Sequence, residues 1–187
     1  VCVILNTGGM MDTLWFKNEP KIQSSLLVWQ PGMEGGNAIA DILMGDECPS
    51  GRLTDTFAVN FDAYPSSAGF NESDMFVEYQ EDIFVGYRYF ETFARDKVLY
   101  PFGFGRSYTT FEIRGQGMES ISDTTVHFRA RVVNTGEVPG KEVVQIYCEA
   151  PQGRLGKPAR SLCAYRKTIL LDPGEYQDLK FKVPVKA

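Results

Sequence analysis

Histidine is almost absent: His127 is the only one among 187 residues. One imidazole cannot build a multi-histidine metal site, and any Ser–His–Asp arrangement must run through that position. Cysteine is sparse as well. Cys2, Cys48, Cys148 and Cys163 are widely and unevenly spaced, with no C-x-x-C pair or Cys/His cluster to mark a zinc site. No metal is expected, and no motif calls for a cofactor. Cys148 and Cys163 could meet across neighbouring strands, which spacing alone leaves open. Reduced thiols and a cytoplasmic setting are the expectation.

Long apolar runs are missing too. None approaches the roughly 20 residues of a membrane-crossing helix, so no membrane partner is expected. There is no Lys/Arg run to neutralise phosphates, and the net charge of -5 argues against nucleic acid. A signal sequence is not legible either. The chain opens at Val1 directly in an apolar strand and closes in KFKVPVKA, so both ends read as cut from something longer. What is present, 43% hydrophobic residues, suffices for a packed core in one or two domains.

Val1 to Leu5 is a continuous apolar, β-branched run ending at Asn6-Thr7-Gly8-Gly9, the pattern of a fully buried parallel strand feeding a loop. Residues 12–24 are mixed, with a poorly marked helical turn at Lys21 to Ser25. Ser25 to Trp29 reads as a second buried strand, broken by Gln30-Pro31-Gly32. Asn37 to Met44 places Ala38, Ile39, Ile42 and Leu43 on one face of a helix, with Gly45 as its C-terminal cap. The order of a strand followed by a helix implies part of an α/β layer with a mainly parallel sheet.

Residues 47–106 lack clear periodicity and are rich in aromatic rings, from Phe57 through Tyr79, Phe84 and Tyr87 to Phe104. Disordered linkers are poor in such residues, so an ordered connection that buries rings against surfaces outside this chain is expected. From Ser107 the pattern changes. Tyr108 to Ile113, Thr124 to Asn134, Lys141 to Glu149, Arg160 to Leu171 and Tyr176 to Val185 read as strands, separated by turns such as Asn134-Thr135-Gly136 and Asp172-Pro173-Gly174. Val126, Phe128, Ala130 and Val132 alternate with His127, Arg129 and Arg131, so one face is buried. The spacing indicates a β-sandwich. The chain is therefore α/β and then all-β, with segments 1–56, 57–106 and 107–187.

Candidate chemistry is thin. Glycoside hydrolysis needs two carboxyl groups, about 5–5.5 Å apart for retention and wider for inversion. Glu81 and Asp82, with Tyr87 close by, lie in VEYQEDIFVGYRYF, an aromatic setting that could border a sugar. Adjacent residues on an extended chain face opposite ways, so they would not form the pair themselves. Salt bridges to Arg88 or to another domain are the plainer reading. Asn6-Thr7-Gly8-Gly9 lacks the full G-x-G-x-x-G pattern of nucleotide loops and reads as a turn. His127 sits on the polar face of a strand and reads as solvent-facing. Trp29 could stack on a sugar ring, although an aromatic after a buried strand is usually core.

VILNTGG, LLVWQPGMEGGNAIADILMGDECPSGRLTDTF, EDIFVGYRYF, YPFGFGRSYTTFEI, NTGEVPGKEVVQIYCEAP and LLDPGEY follow one another in the order of family 3 glycoside hydrolases. The combination of WQPGMEGG, PSGRLTDTF and PFGFGRSYTTF carries the resemblance, which covers nearly the whole chain. It implies that 1–56 is the end of the family's α/β sandwich domain and 107–187 a fibronectin type III-like domain, cut before its last strands. EDIFVGYRYFETF and YCEAPQGRLGKPAR resemble bacterial β-glucosidases in which the barrel domain can follow this half. Met10-Met11 stands where the family often has Pro and a β-branched residue, and Arg106 where Leu or a similar apolar residue is usual.

Carried over residue by residue, the resemblance gives no catalytic residue here. The family's Asp nucleophile belongs to the absent (β/α) barrel, and its usual acid/base Glu lies just upstream of the strand matching Val1 to Leu5. The expected function is part of a retaining β-glucosidase-like hydrolase acting on a β-glucoside or oligosaccharide. Its expected partners are the missing barrel domain and, as a homo-oligomer, further copies of itself. The alternative is a stand-alone, non-catalytic module that binds carbohydrate or protein. A nucleotide-binding α/β protein is a third reading, resting only on Gly8-Gly9.

Overall fold

The computed structural model describes residues 1–122 and 124–185; Lys186 and Ala187, the end of KFKVPVKA, lie outside them. In chain order the elements are β1 (Cys2–Leu5), α1 (Leu14–Lys17), β2 (Ser24–Leu27), α2 (Gly35–Met44), β3 (Phe57–Ala58), α3 (Tyr87–Phe93), β4 (Val98–Tyr100), β5 (Phe111–Ile121), β6 (Thr125–Asn134), β7 (Val143–Cys148), β8 (Ser161–Lys167) and β9 (Tyr176–Pro184). They form two compact units. The first takes Val1–Leu43, Leu53–Phe104 and Ala150–Ala159; the second takes Met44–Arg52, Gly105–Glu149 and Arg160 onward. The fold is α/β followed by all-β.

In the first unit β1 and β2 pair in parallel, Cys2 opposite Ser24 through Leu5 opposite Leu27. Their burial corrects the sequence reading. Only Leu5 is buried, and Ile4 is 43% exposed. A two-stranded sheet leaves most of its surface open, so the apolar run marks a strand made for cover that the described residues do not supply. The second strand starts and ends earlier than expected, because Trp29 adopts a left-handed φ of 52° that no extended ladder can include. The helical turn also moves. It lies at α1, while Ser24 and Ser25 belong to β2.

Helix α2 begins two residues before the expected start. Ile39 and Ile42 are half-buried, whereas Ala38 and Leu43 face solvent. Gly45 at φ 87° ends it in the left-handed conformation that glycine adopts without steric cost.

The aromatic segment has its own order. Phe57, Ala58, Phe90 and Ala94 are buried, and Tyr64, Tyr89 and Val98 pack around them. The Tyr64 ring meets Phe90 edge-on at 5.4 Å. Its hydroxyl accepts from the Ala58 amide at 2.9 Å and donates to the Thr56 carbonyl at 3.0 Å. Burial pushes the Tyr64 phenol up from its ordinary value. The loop 150–159 joins this unit through the Ala159 amide, which donates to Thr92 Oγ1 of α3 at 2.9 Å.

The second unit is a sandwich of β5-β6-β9 against β7-β8. The alternation in β6 sets its inner face: Ala130 and Val132 join Val144, Leu171, Leu179 and Phe181 in the core. Burying each of the larger side chains stabilises by roughly 1.5–3 kcal/mol. Strand β5 starts three residues later than expected and runs eight further. Gly115 and Gly117 interrupt its pattern, and its register with β6 shifts between Gly115 and Met118 and again before Ser120. Strand β8 stops at Lys167; beyond it Leu171 bridges Gly140.

Two polar arrangements hold this unit. Asn134 is fully buried and uses its whole amide. Its oxygen accepts from Thr109 Oγ1 at 2.7 Å and from the Gly136 amide at 3.1 Å. Its nitrogen donates to the carbonyls of Val138 at 2.9 Å and Leu171 at 2.8 Å. Arg52 forms a forked pair with Glu142, at 2.5 and 2.6 Å through Nη2 and 3.1 Å through Nε. Gly105 lies so close that a Cβ there would overlap the Gly51 carbonyl and come within 2.7 Å of Arg52 Nη1. This close approach is why PFGFG carries glycine beside PSGR.

Candidate active-site wall

The carboxyl ends of β1 and β2 lie side by side, the edge at which open α/β sheets present ligand-binding loops. Asn6-Thr7-Gly8-Gly9 leaves β1, and Val28-Trp29-Gln30-Pro31-Gly32 leaves β2. Thr7 Oγ1 accepts from the Gly9 amide at 3.3 Å, which tightens the first loop. A Cβ on Gly8 would meet Gln30 Nε2 at 3.0 Å, so the two loops touch there. Pro31 stacks under Gly35, where a Cβ would collide with its ring, and α2 follows directly. Trp29, in its left-handed backbone, is half-exposed rather than core.

This edge offers a ring, two amides, a hydroxyl and main-chain groups. It holds no carboxylate. The nearest acids in sequence are engaged: Asp12 Oδ1 accepts from the Leu14 amide at 2.8 Å, and Glu34 Oε2 accepts from Asn37 Nδ2 at 2.6 Å. The groups can therefore contact and orient a polyhydroxylated ligand, but they cannot supply a nucleophile and an acid.

Glu81, Asp82 and Tyr87 lie elsewhere in the first unit. Glu81 is half-buried and Asp82 exposed; the Glu81 carbonyl accepts from the Phe84 amide at 2.8 Å, closing a turn with Asp82 at φ 50°. Among the described residues neither carboxylate has an ion-pair partner, which corrects the expected salt bridge to Arg88. The reason is local. The Arg88 guanidinium lies over the Tyr87 ring at 5.8 Å, and residues 53–87 contain no Lys or Arg. Tyr87 opens α3 and stacks on Phe102 at 4.8 Å. The geometry does not make these three a catalytic cluster.

A non-glycine residue in the left-handed region costs about 1–2 kcal/mol, somewhat less for Asp. Asp82→Gly is therefore expected to stabilise the first unit by about 1 kcal/mol. Both tryptophans of the chain, Trp15 and Trp29, lie in that unit, so urea unfolding followed by tryptophan fluorescence reads it directly. A lower midpoint would show that the Asp82 side chain does something besides tolerate the turn.

The profile of the glycosyl hydrolase family 3 C-terminal domain matches residues 1–108. The chain belongs to glycoside hydrolase family 3. A fibronectin type III-like profile matches residues 142–187. β-Glucosidase A of Butyrivibrio fibrisolvens is 50% identical over 194 residues, covering 95% of this chain and 23% of that protein. Among solved structures, a β-glucosidase from Paenibacillus barengoltzii superposes with a TM-score of 0.94 at 49% identity, over all of this chain and 21% of that one. β-Glucosidase 3B of Thermotoga neapolitana, solved with glucose, gives 0.92 at 40% identity, over 100% of this chain and 26% of its own. This family 3 chain thus spans about a fifth to a quarter of the length of these relatives.

Sequence reasoning missed Arg52 as a structural residue of the family 3 chain. PSGRLTDTF carries no local sign of an ion pair, because the partner Glu142 is 90 residues away. Trp29 was legible as an aromatic after a strand, but not its left-handed backbone.

Proposed function

We propose that this chain works as the C-terminal part of a retaining β-glucosidase, supplying a cleft wall and a stabilising sandwich while the catalytic carboxylates lie outside residues 1–187. One observation carries this reading: in a member of a glycosidase family, the loops at the carboxyl edge of β1 and β2 hold ring, amide and hydroxyl groups but no carboxyl group. Trp29 would offer an apolar face to a sugar ring, and Gln30 and Asn6 would hydrogen-bond its hydroxyls. The substrate is a β-glucoside or short oligosaccharide, and double displacement proceeds through a glycosyl-enzyme whose nucleophile the barrel provides.

The same reading divides the chain into an α/β end (1–56), an aromatic connection (57–106) and the fibronectin-like sandwich (107–187). The exposed run around Phe70, Met75, Phe76, Val77 and Tyr79 suits a surface covered by another domain or another copy, since patches of this kind mark interaction sites.

The intact protein is expected to hydrolyse an aryl β-glucoside with retention of configuration, and residues 1–187 alone to show no turnover above a protein-free control. Turnover by the chain alone, lost in Glu81→Gln or Asp82→Asn, would overturn the reading. The same exposed apolar run favours the second reading, a free-standing binding module. Saturable binding of cello-oligosaccharides by the isolated chain, with an intact protein that lacks glycosidase activity, would establish that module instead.

A further inference from the structure

We propose that Cys148 and Cys163 are a redox pair, which a low-molecular-weight disulfide converts into one cross-strand disulfide closing the stem of the loop between β7 and β8. The pairing of these strands is the first support. Ile146 lies opposite Ala164, Tyr147 opposite Leu162 and Cys148 opposite Ser161. Cys163 is thus the extra residue of a β-bulge, the device that re-aims a side chain out of the regular ladder. Cys148 faces Ser161, so the two cysteines are diagonal neighbours on adjacent strands, and the bulge is what turns the Cys163 side chain toward Cys148.

The sulfur positions agree with the register. The Cys163 thiol donates to the Ser161 carbonyl at 3.3 Å and interacts with both the main chain and the thiol of Cys148. All four cysteines carry free thiols, but the other two are placed differently. Cys2 is on β1 in the first unit, and Cys48 meets the Ser107 hydroxyl at 3.1 Å.

The two members of the pair have distinct roles. Cys148 is exposed, and Cys163 is half-buried. Burial, with Cys148 alongside, pushes the Cys163 thiol up, so the exposed Cys148 is the better initiator. Its thiolate attacks one sulfur of the small disulfide, forming a mixed disulfide and releasing one small thiolate. The Cys163 thiolate then attacks the Cys148 sulfur and releases the second. Two protein thiols lose two protons and two electrons, and one small disulfide becomes two thiols. Arg166 and Lys182 line an open groove with Cys163, the resolving thiol, and an anionic small disulfide such as oxidised glutathione is the matching probe.

The loop is already ordered for closure. The Gln152 side chain accepts from the Lys157 amide and donates to the Lys157 carbonyl, both at 3.1 Å.

The test equilibrates the intact, folded protein with graded ratios of oxidised to reduced glutathione, alkylates the remaining thiols and maps the tryptic peptides. The expected result is a linked pair of peptides holding Cys148 and Cys163, lighter than their sum by two hydrogens and separated by dithiothreitol. Cys163→Ser should accumulate glutathione on Cys148 with no link. The proposal is overturned if the wild-type protein stops at glutathionylated Cys148, joins Cys148 to another cysteine, or keeps both thiols alkylatable throughout. The wild-type map decides these outcomes even if the variant misfolds.

Discussion

Asn134→Ala is expected to lower the stability of the second unit by about 3–5 kcal/mol, read as a drop in the urea midpoint of the sandwich. The four hydrogen bonds of the Asn134 amide do not count equally. Val138 is exposed and Gly136 half-exposed, so water can replace the lost partner there. The buried Leu171 carbonyl keeps the Gly140 amide, which donates to it at 3.1 Å, but the buried Thr109 hydroxyl loses its acceptor, and a buried group left unpaired costs about 1–3 kcal/mol. That one stranded hydroxyl, the three other hydrogen bonds lost at about 0.5–1.5 kcal/mol each and the small cavity left behind give the expected range.

Asn134→Asp separates the donor side from the acceptor side. It keeps the oxygens facing Thr109 and Gly136 but turns a carboxylate toward two carbonyls. Such a carboxyl would have a raised folded pKa, so its destabilisation should grow as pH rises through the carboxyl range and ease as pH falls. A loss below about 1 kcal/mol for the alanine variant would mean that the buried amide network is not formed in solution.

Arg52→Met is expected to cost about 3–5 kcal/mol, because it strands the Glu142 carboxylate in a poorly solvated position. The two side chains are only 12% and 13% exposed, so solvent screening does little for a lone charge. Glu142 also accepts from the Val143 amide at 2.6 Å and donates its own amide to Thr168 Oγ1 at 3.0 Å, which holds it in place when Arg52 is gone. The reverse variant, Glu142→Leu, strands the guanidinium. The double variant should recover most of the loss, because replacing both charges removes the unpaired ion while keeping the volume. A double-mutant cycle by urea unfolding measures this. Additive losses would show that the two residues act independently.

These two sites mark where sequence reading ended. The β6 strand was legible because Val126 to Val132 alternate without interruption. Helix α2 was legible from Ile39 and Ile42 at helical spacing and from the glycine after it. Helix α3 was not: YRYFETF is short, rich in rings and low in strong helix formers, and Gly86 starts it at φ 59° without a side-chain cap. Strand β5 was cut short by its glycines.

The candidate site shows the same limit. The parallel order of β1 and β2 placed their loops together, but the contact of Gly8 with Gln30 and the backbone of Trp29 depend on tertiary packing. Burial failed most plainly at β1. Val1 to Leu5 has the composition of a covered strand, and composition records the cover a strand is made for, not whether the described residues supply it. Of the two salt-bridge readings for Glu81 and Asp82, the one to Arg88 fails, because its guanidinium lies over the Tyr87 ring.

The central claim, that this chain lines a glycosidase cleft without carrying its chemistry, is tested most directly by trapping the glycosyl-enzyme. The intact protein would be treated with an activated 2-fluoroglucoside, which forms the covalent intermediate and hydrolyses slowly, and then mapped by mass spectrometry. The expected result is a single labelled carboxylate outside residues 1–187. A label on a carboxylate within this chain, Glu81 or Asp82 above all, would contradict it.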